Sequence, residues 1–290
     1  MAAQPPLLRR RRRRRPDGGP SGWRRRRPEG LRIGGHLGAA PFALISLSVF
    51  GVLLLVWWLV TSQGLVSSLV LPSPHAVWNR MRQLQESGDL FNDMGISIYR
   101  IAVAFAIATA MAVPLGVLMG TFAVWEAALE PLVDFVRYMP VVGFIPLTIF
   151  WVGFDDTQKF LIIWIGTFFQ EVLLIMDNVK RTPPSLVDLG RTLGLSERAI
   201  LVRIVVPHAA PGIWDSLRIS LGWAWTWVVL AELSGASSGL GFRINEAQRF
   251  FESDTVIGYL LLLGLLGLVT DQGMKALSRL FFGWSKARAS

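Results

Sequence analysis

Long apolar runs alternate with short polar ones from residue 40 to residue 282. A helix needs roughly 20 mostly apolar residues to cross a bilayer core. Six runs answer to that: 40–61, 97–120, 133–153, 160–176, 213–233 and 256–275, the last continuing as far as 282. Pro114 predicts a kink in the second, and Pro140 and Pro146 predict a bend in the third. The pattern therefore predicts an all-α, polytopic membrane helical bundle with six transmembrane helices, occupying residues 40–285 after an N-terminal tail of residues 1–39.

One stretch fits neither class. PPSLVDLGRTLGLSERAILVRIVVP, residues 183–207, is too polar and too broken by glycine to span, yet too well patterned for a plain loop. After Pro183-Pro184, Ser185 is placed to cap a helix, with Asp188 three residues on. Leu186, Leu189 and Leu193 fall at i, i+3 and i+7, so one face is apolar. Gly194 then predicts a C-cap, Ser196 a second N-cap, and Pro207 the end of a second helix striped by Ile200, Leu201 and Ile204. Each helix would be about 15 Å long, half of a bilayer core. The element docks rather than spans, and periodicity leaves open whether its partner is the bundle, the lipid surface or another protein.

Composition agrees with a membrane protein: 52% of the 290 residues are hydrophobic, with 12 Trp and 17 Phe. The formal charge of +9 is not spread along the chain. Residues 1–40 hold 12 Arg against Asp17 and Glu29, which leaves 17 basic and 18 acidic residues in the rest. The tail, rich in Arg, Pro and Gly, is expected to be disordered. An arginine arm for nucleic acid is one reading; a cytoplasmic tail that holds the first helix against anionic lipid is the one preferred here, with no nucleic-acid partner. No small-residue cleavage site follows, so the first run reads as an uncleaved anchor. With the tail inside, the segments on that side carry 21 Lys and Arg against 5 outside, and 9 against 5 without the tail. Both termini and the 183–207 stretch are thus expected on the cytoplasmic side of a bacterial inner membrane.

There is no cysteine, and His36, His75 and His208 are far apart, so no metal site is expected. Ionisable residues inside spans are costly unless they are paired or face water. Asp134, Arg137, Asp215, Arg218 and Asp271 are expected near cytoplasmic ends, with Asp215 and Arg218 close enough to pair on one helix face. Glu171 and Glu232 lie where a role in a translocation pathway is more plausible, and Trp223 and Trp227 belong to the same candidate set. No deep Arg or Lys offers itself as an anion ligand. GASSGLG (235–241) lacks the lysine of a phosphate-binding loop, and no lysine in the chain follows a glycine. ATP, if used, is hydrolysed elsewhere.

The spacing from Gly194 through Ile204-x-Val206-Pro207 resembles the EAA loop of ABC-importer permeases, E-A-A-x-x-x-G-x9-I-x-L-P. Asp188-Leu189-Gly190 stands where Glu-Ala-Ala would be, and Val206 replaces Leu. LPSP (71–74), MPVVGFIPLTIFWVGFDDTQK (139–159), RTLGLS (191–196) and AELSGASSGLGFRI (231–244) look like the nitrate/sulfonate/taurine (NitT/TauT) permease family. The resemblance covers residues 40–285 and implies a type I ABC-importer permease fold with a cytoplasmic coupling helix. It assigns Asp188, Gly190, Gly194, Ile204 and Pro207 to contact with a separate ATPase, with Leu189 and Leu193 read as the docking face. It also implies a permease dimer, two ATP-binding subunits that hold ATP and Mg, an extracytoplasmic solute-binding protein, and no cofactor in this chain. Its solutes include nitrate, sulfonates, taurine and bicarbonate. A stand-alone secondary transporter or channel is the alternative; it would be supported by inverted repeats, and none is evident. A membrane-embedded enzyme ranks last.

Overall fold

The computed structural model describes residues 38–283, which are helical or turn throughout, with no strand among them. The arginine-rich tail lies outside the described residues. The chain divides into two units, residues 1–55 and 56–290. The break falls inside the first helix, α1 (Ala39–Ser62), and every later element belongs to the second unit. In it, α2 (Pro74–Glu86) starts from Ser73, whose hydroxyl accepts the Ala76 N–H at 3.2 Å, with Pro74 in the first turn. Then come α3 (Asp89–Thr121), α4 (Ala123–Arg137), a 3-10 turn at Val141–Phe144, α5 (Ile145–Val152) and α6 (Asp156–Lys180). After α7 (Pro184–Thr192) and α8 (Glu197–Ile200) a π turn at Leu201–Val205 leads into α9 (Val206–Leu233). α10 (Leu240–Arg249) and α11 (Ser253–Phe281) complete the described chain.

α3 organises the bundle through a stripe of small residues. Ala104, Ala108, Ala112, Gly116 and Gly120 recur every fourth position, and the three alanines are fully buried. Residues four apart share one helix face, and small ones let two backbones approach closely. A Cβ on Gly116 would meet the Val172 carbonyl oxygen at 2.8 Å, and one on Gly120 the Met176 carbonyl oxygen at 2.8 Å. α6 fills that seam with Val172, Ile175, Met176 and Val179. On another face α6 meets α9: Gly166 leaves room for the Trp227 ring, and Asn178 Nδ2 donates to Ser216 Oγ at 2.6 Å.

Among the described residues, four helices are long and apolar enough to cross a membrane: α1 from Ala40, α3, α6 and α11. The predicted 133–153 run is not one straight span. α4 and the segment Val141–Val152 are bent by 88° at Tyr138–Pro140 and count as a fifth span only if taken together. Pro140 cannot donate the N–H that would continue α4, and it disfavours helix in the residue before it. The predicted 213–233 run lies in α9, 28 residues long but carrying Asp215, Arg218 and Glu232, so the sixth span rests on its length. Pro114 lies within α3, which remains a single helical element across it.

The bend moves two charges. α4 starts at 123 rather than 133, and its first turns sit beside the last turn of α6, where Lys180 pairs with Glu126 at 3.1 Å. Arg137, expected near the start of a run beginning at 133, is instead the last residue of α4, roughly 21 Å along the helix from that end at 1.5 Å per residue. Asp134 accompanies it, and the two pair at 2.8 Å. The expected pair Arg218–Asp215 forms at 3.6 Å, while Arg218 lies closer to Asp271, at 3.0 Å.

Candidate functional site

The 183–207 stretch folds as a helix, a glycine turn and a second helix. α7 begins two residues earlier than expected: Pro183 is its N-cap and Pro184 its first turn, so Ser185 caps nothing. Proline is pre-set for that position and gives up only an N–H that would be unpaired anyway. The glycine end follows expectation. Gly194 has φ 73°, the Leu195 N–H reaches the Gly190 carbonyl at 3.0 Å, and the Gly194 N–H reaches that of Arg191 at 2.9 Å. This is a Schellman closure, which favours glycine at the left-handed position. Ser196 caps α8 through the Ala199 N–H at 3.3 Å. Arg191 ties the two helices, pairing with Glu197 at 3.1 Å and Asp188 at 3.5 Å.

Pro207 does not end the second helix. The chain stays helical from Glu197 to Leu233, with Pro207 in the first turn of α9. The π turn before it bonds the Val206 N–H to the Leu201 carbonyl, one residue further back than in an α-helix. That wider turn accommodates a proline that has no N–H to give.

The apolar face of α7 splits in two. Gly190 is buried against Ile200 and Ile204, with Val187 and Leu195 packed on the core beside them. Leu189 and Leu193 point away and are 54% and 69% exposed. Around them Asp188, Arg191, Thr192, Glu197 and Arg198 are exposed too. Replacing Gly194 by Ala is expected to cost about 1 kcal/mol, because an L side chain resists φ near +70°. Gly194→Asn should cost less; thermal unfolding of the two variants checks the order.

The four candidate pathway residues do not form one site. Glu171, fully buried, accepts a hydrogen bond from Thr109 at 2.7 Å across the α3–α6 seam, and its other oxygen has no partner. Trp227 packs on Gly166, and Trp223, one turn away, lines a cavity with residues of α4 and α6. Glu232 lies at the far end of the bundle in a polar network that sequence reasoning missed. There α10 begins at Gly239 with no cap of its own. Three side chains from other elements accept its first N–H groups: Asp93 from Gly239 at 3.0 Å, Ser97 from Leu240 at 2.9 Å and Glu232 from Gly241 at 2.7 Å. Arg100 joins the carboxylates, donating to Glu232 at 2.9 Å, to Asp156 at 2.6 and 2.8 Å and to the Ser238 carbonyl at 2.7 Å. Arg243 and Tyr259 both donate to Asp93. The GASSGLG segment thus has its backbone donors at 239–241 already taken by side chains. Its glycines are required by closeness: a Cβ on Gly239 would collide with the Glu232 carboxylate. The missed signal was the spacing Asp93, Ser97, Arg100, which continues the small-residue face of α3.

Residues 112–282 match the family described as binding-protein-dependent transport system inner membrane component. The chain belongs to that family. The permease is 35% identical over 230 residues to a "Probable ABC transporter permease protein" of Brucella abortus (strain 2308), covering 79% of this chain and 91% of the relative. It is 29% identical over 245 residues to the taurine transport system permease protein TauC of Escherichia coli (strain K12), covering 83% and 89%. Its fold is similar to a chain of the inward-facing MetNI methionine ABC transporter, with a TM-score of 0.58 at 18% identity over 63% of the permease and 91% of that chain. With its apolar helices, the permease is a multi-pass inner-membrane protein of the nitrate/sulfonate/taurine class.

Proposed function

We propose that this permease is the membrane subunit of an ATP-driven importer for a small anionic solute of the nitrate, sulfonate/taurine or bicarbonate class. The observation that carries this reading is the pair Leu189 and Leu193, more than half exposed on a capped helix with a polar rim. Such a patch, rimmed by polar residues, marks a contact surface, and the resemblance to the coupling loop makes the partner a protein. The partner is an ATP-binding subunit, present in two copies that hold ATP and Mg, so hydrolysis happens outside this chain. A second permease copy and an extracytoplasmic solute-binding protein complete the assembly, and both termini of this chain face the cytoplasm. Asp188, Leu189, Gly190, Leu193, Gly194, Ile204 and Pro207 form the coupling element. In it Leu189 and Leu193 dock, Gly190 and Ile204 hold α7 against the bundle, and Gly194 sets the turn.

The test uses proteoliposomes holding the permease and its ATPase partner. Leu189→Ser with Leu193→Ser is expected to leave insertion and thermal unfolding unchanged, since both side chains are exposed. Solute-dependent ATP hydrolysis should fall at least tenfold. Unchanged hydrolysis in that variant, or transport with no ATPase present, would overturn the reading.

A further inference from the structure

At the end of the bundle away from the 183–207 element, the chain between α5 and α6 touches the loop between α9 and α10. The first turn of α6 adds two bonds to that contact. Gln158 Nε2 donates to Ser234 Oγ at 2.9 Å. The Phe154 ring lies against Gly235, where a Cβ would stand 3.0 Å from it. Lys159 Nζ bridges the two segments, donating to the Phe154 carbonyl and to the Gly235 carbonyl, the latter at 3.3 Å.

For a charge that is only 1% exposed, Lys159 is poorly partnered. It makes no ion pair with any described residue. Arg80, Arg100 and Arg243, at the same end, each meet a carboxylate, at 2.5, 2.6 and 2.8 Å. Asp156 is held by Arg100, and Glu232 by Arg100, Ser97 and the Gly241 N–H. Lys159 also stands fourth in α6, at the helix end whose dipole disfavours a cation. Its two carbonyls offset little of this. Both belong to exposed residues and border an open cleft shared with Asp155 and Ser237, so water can satisfy them without the lysine. Taking an ammonium out of water costs more than two such bonds return.

We infer that Lys159 is a positioning residue that drives the opening of this end of the permease. Its ammonium is dry while the two segments touch and regains water when they part. The Gln158–Ser234 bond and the Phe154–Gly235 contact hold the closed state, and the lysine opposes them. Groups held against their preference recur at switch regions, where they bring two states close in energy. The inference rests on the permease reading for what the opening serves; its test does not.

The chain has no cysteine. Thr157→Cys with Ser237→Cys, both at exposed positions, therefore places one spin label on each segment of the full chain in phosphatidylcholine nanodiscs. Electron–electron distance measurement is expected to show a short and a long population. Lys159→Met keeps most of the side chain's length and removes the charge. It should lower the ratio of long to short roughly fivefold or more and raise the unfolding temperature. Lys159→Gln, neutral but still a donor, should move both in the same direction, and it decides the matter if Lys159→Met does not fold. A lysine that merely holds the loops predicts the reverse: losing its bonds would free them and lower the unfolding temperature. A single distance in the labelled parent, a long population unchanged or raised, or an unfolding temperature unchanged or lowered overturns the proposal. ATP hydrolysis with the partner subunit is read separately, so the permease reading stands or fails on its own result.

Discussion

Arg100→Met is expected to destabilise the bundle by about 3–5 kcal/mol, the cost of removing one partner from a buried ion pair. Arg100 is 4% exposed and Glu232 is 1% exposed, so the Glu232 carboxylate would keep its charge out of water with only Ser97 and the Gly241 N–H to satisfy it. Asp156 is half exposed and can rehydrate, so most of the loss falls on Glu232. Adding Glu232→Gln to Arg100→Met removes the stranded charge and keeps a carbonyl for the Gly241 N–H. The double variant should therefore recover a large part of the loss, about 2 kcal/mol on the scale of a hydrogen bond to a charged group. Thermal or denaturant unfolding in nanodiscs reads both. A single variant as stable as the parent, or a double variant weaker than the single, would show that the pair does not hold this end together.

The two ends of the bundle were unequally legible in the sequence. The 183–207 element announced itself because its signals are local. Gly194 marks a left-handed turn and Ser196 marks a cap, and each needs only a few neighbouring residues. The polar network depends on residues far apart in the chain, such as Arg100, Asp156 and Glu232, which only packing brings together. Its trace in the sequence was a helix face that carries Asp93, Ser97 and Arg100 before it turns to alanine. The third predicted span misled for a different reason. Hydropathy registers apolar length but is blind to direction, and the 88° turn at Pro140 replaces one span by two short helices. Arg137, expected near the start of that run, is instead the last residue of α4.

The geometry also says how motion at α7 would reach the membrane. Three residues, 181–183, separate α6 from α7, and no loop interrupts the chain from Glu197 to Leu233. Gly190 rests on Ile200 and Ile204, so a displacement of α7 presses on the helical segment that continues as α9. α9 carries Trp223 along the cavity and ends at Glu232 in the polar network. A single long helix thus links the segment on which α7 rests, the cavity and the far-end network.

That transmission needs a rigid reference, and the α3–α6 seam supplies it. Gly116→Leu and Gly120→Leu are each expected to cost about 1–3 kcal/mol or more, the usual penalty for overpacking. The first atoms that a new side chain meets include the Val172 and Met176 carbonyl oxygens, which are backbone and cannot rotate away. Relief therefore requires α3 and α6 to part, which also pulls Thr109 from Glu171. Gly95, on the same helix, has nothing within 4 Å of the point where a Cβ would stand. Gly95→Ala should accordingly be neutral or stabilising by about 0.5–1 kcal/mol through helix propensity. Unfolding midpoints of the three variants separate the explanations. Equal losses at 95, 116 and 120 would mean that glycine serves α3 by flexibility, whereas losses confined to 116 and 120 identify the α3–α6 seam as a close-packed contact.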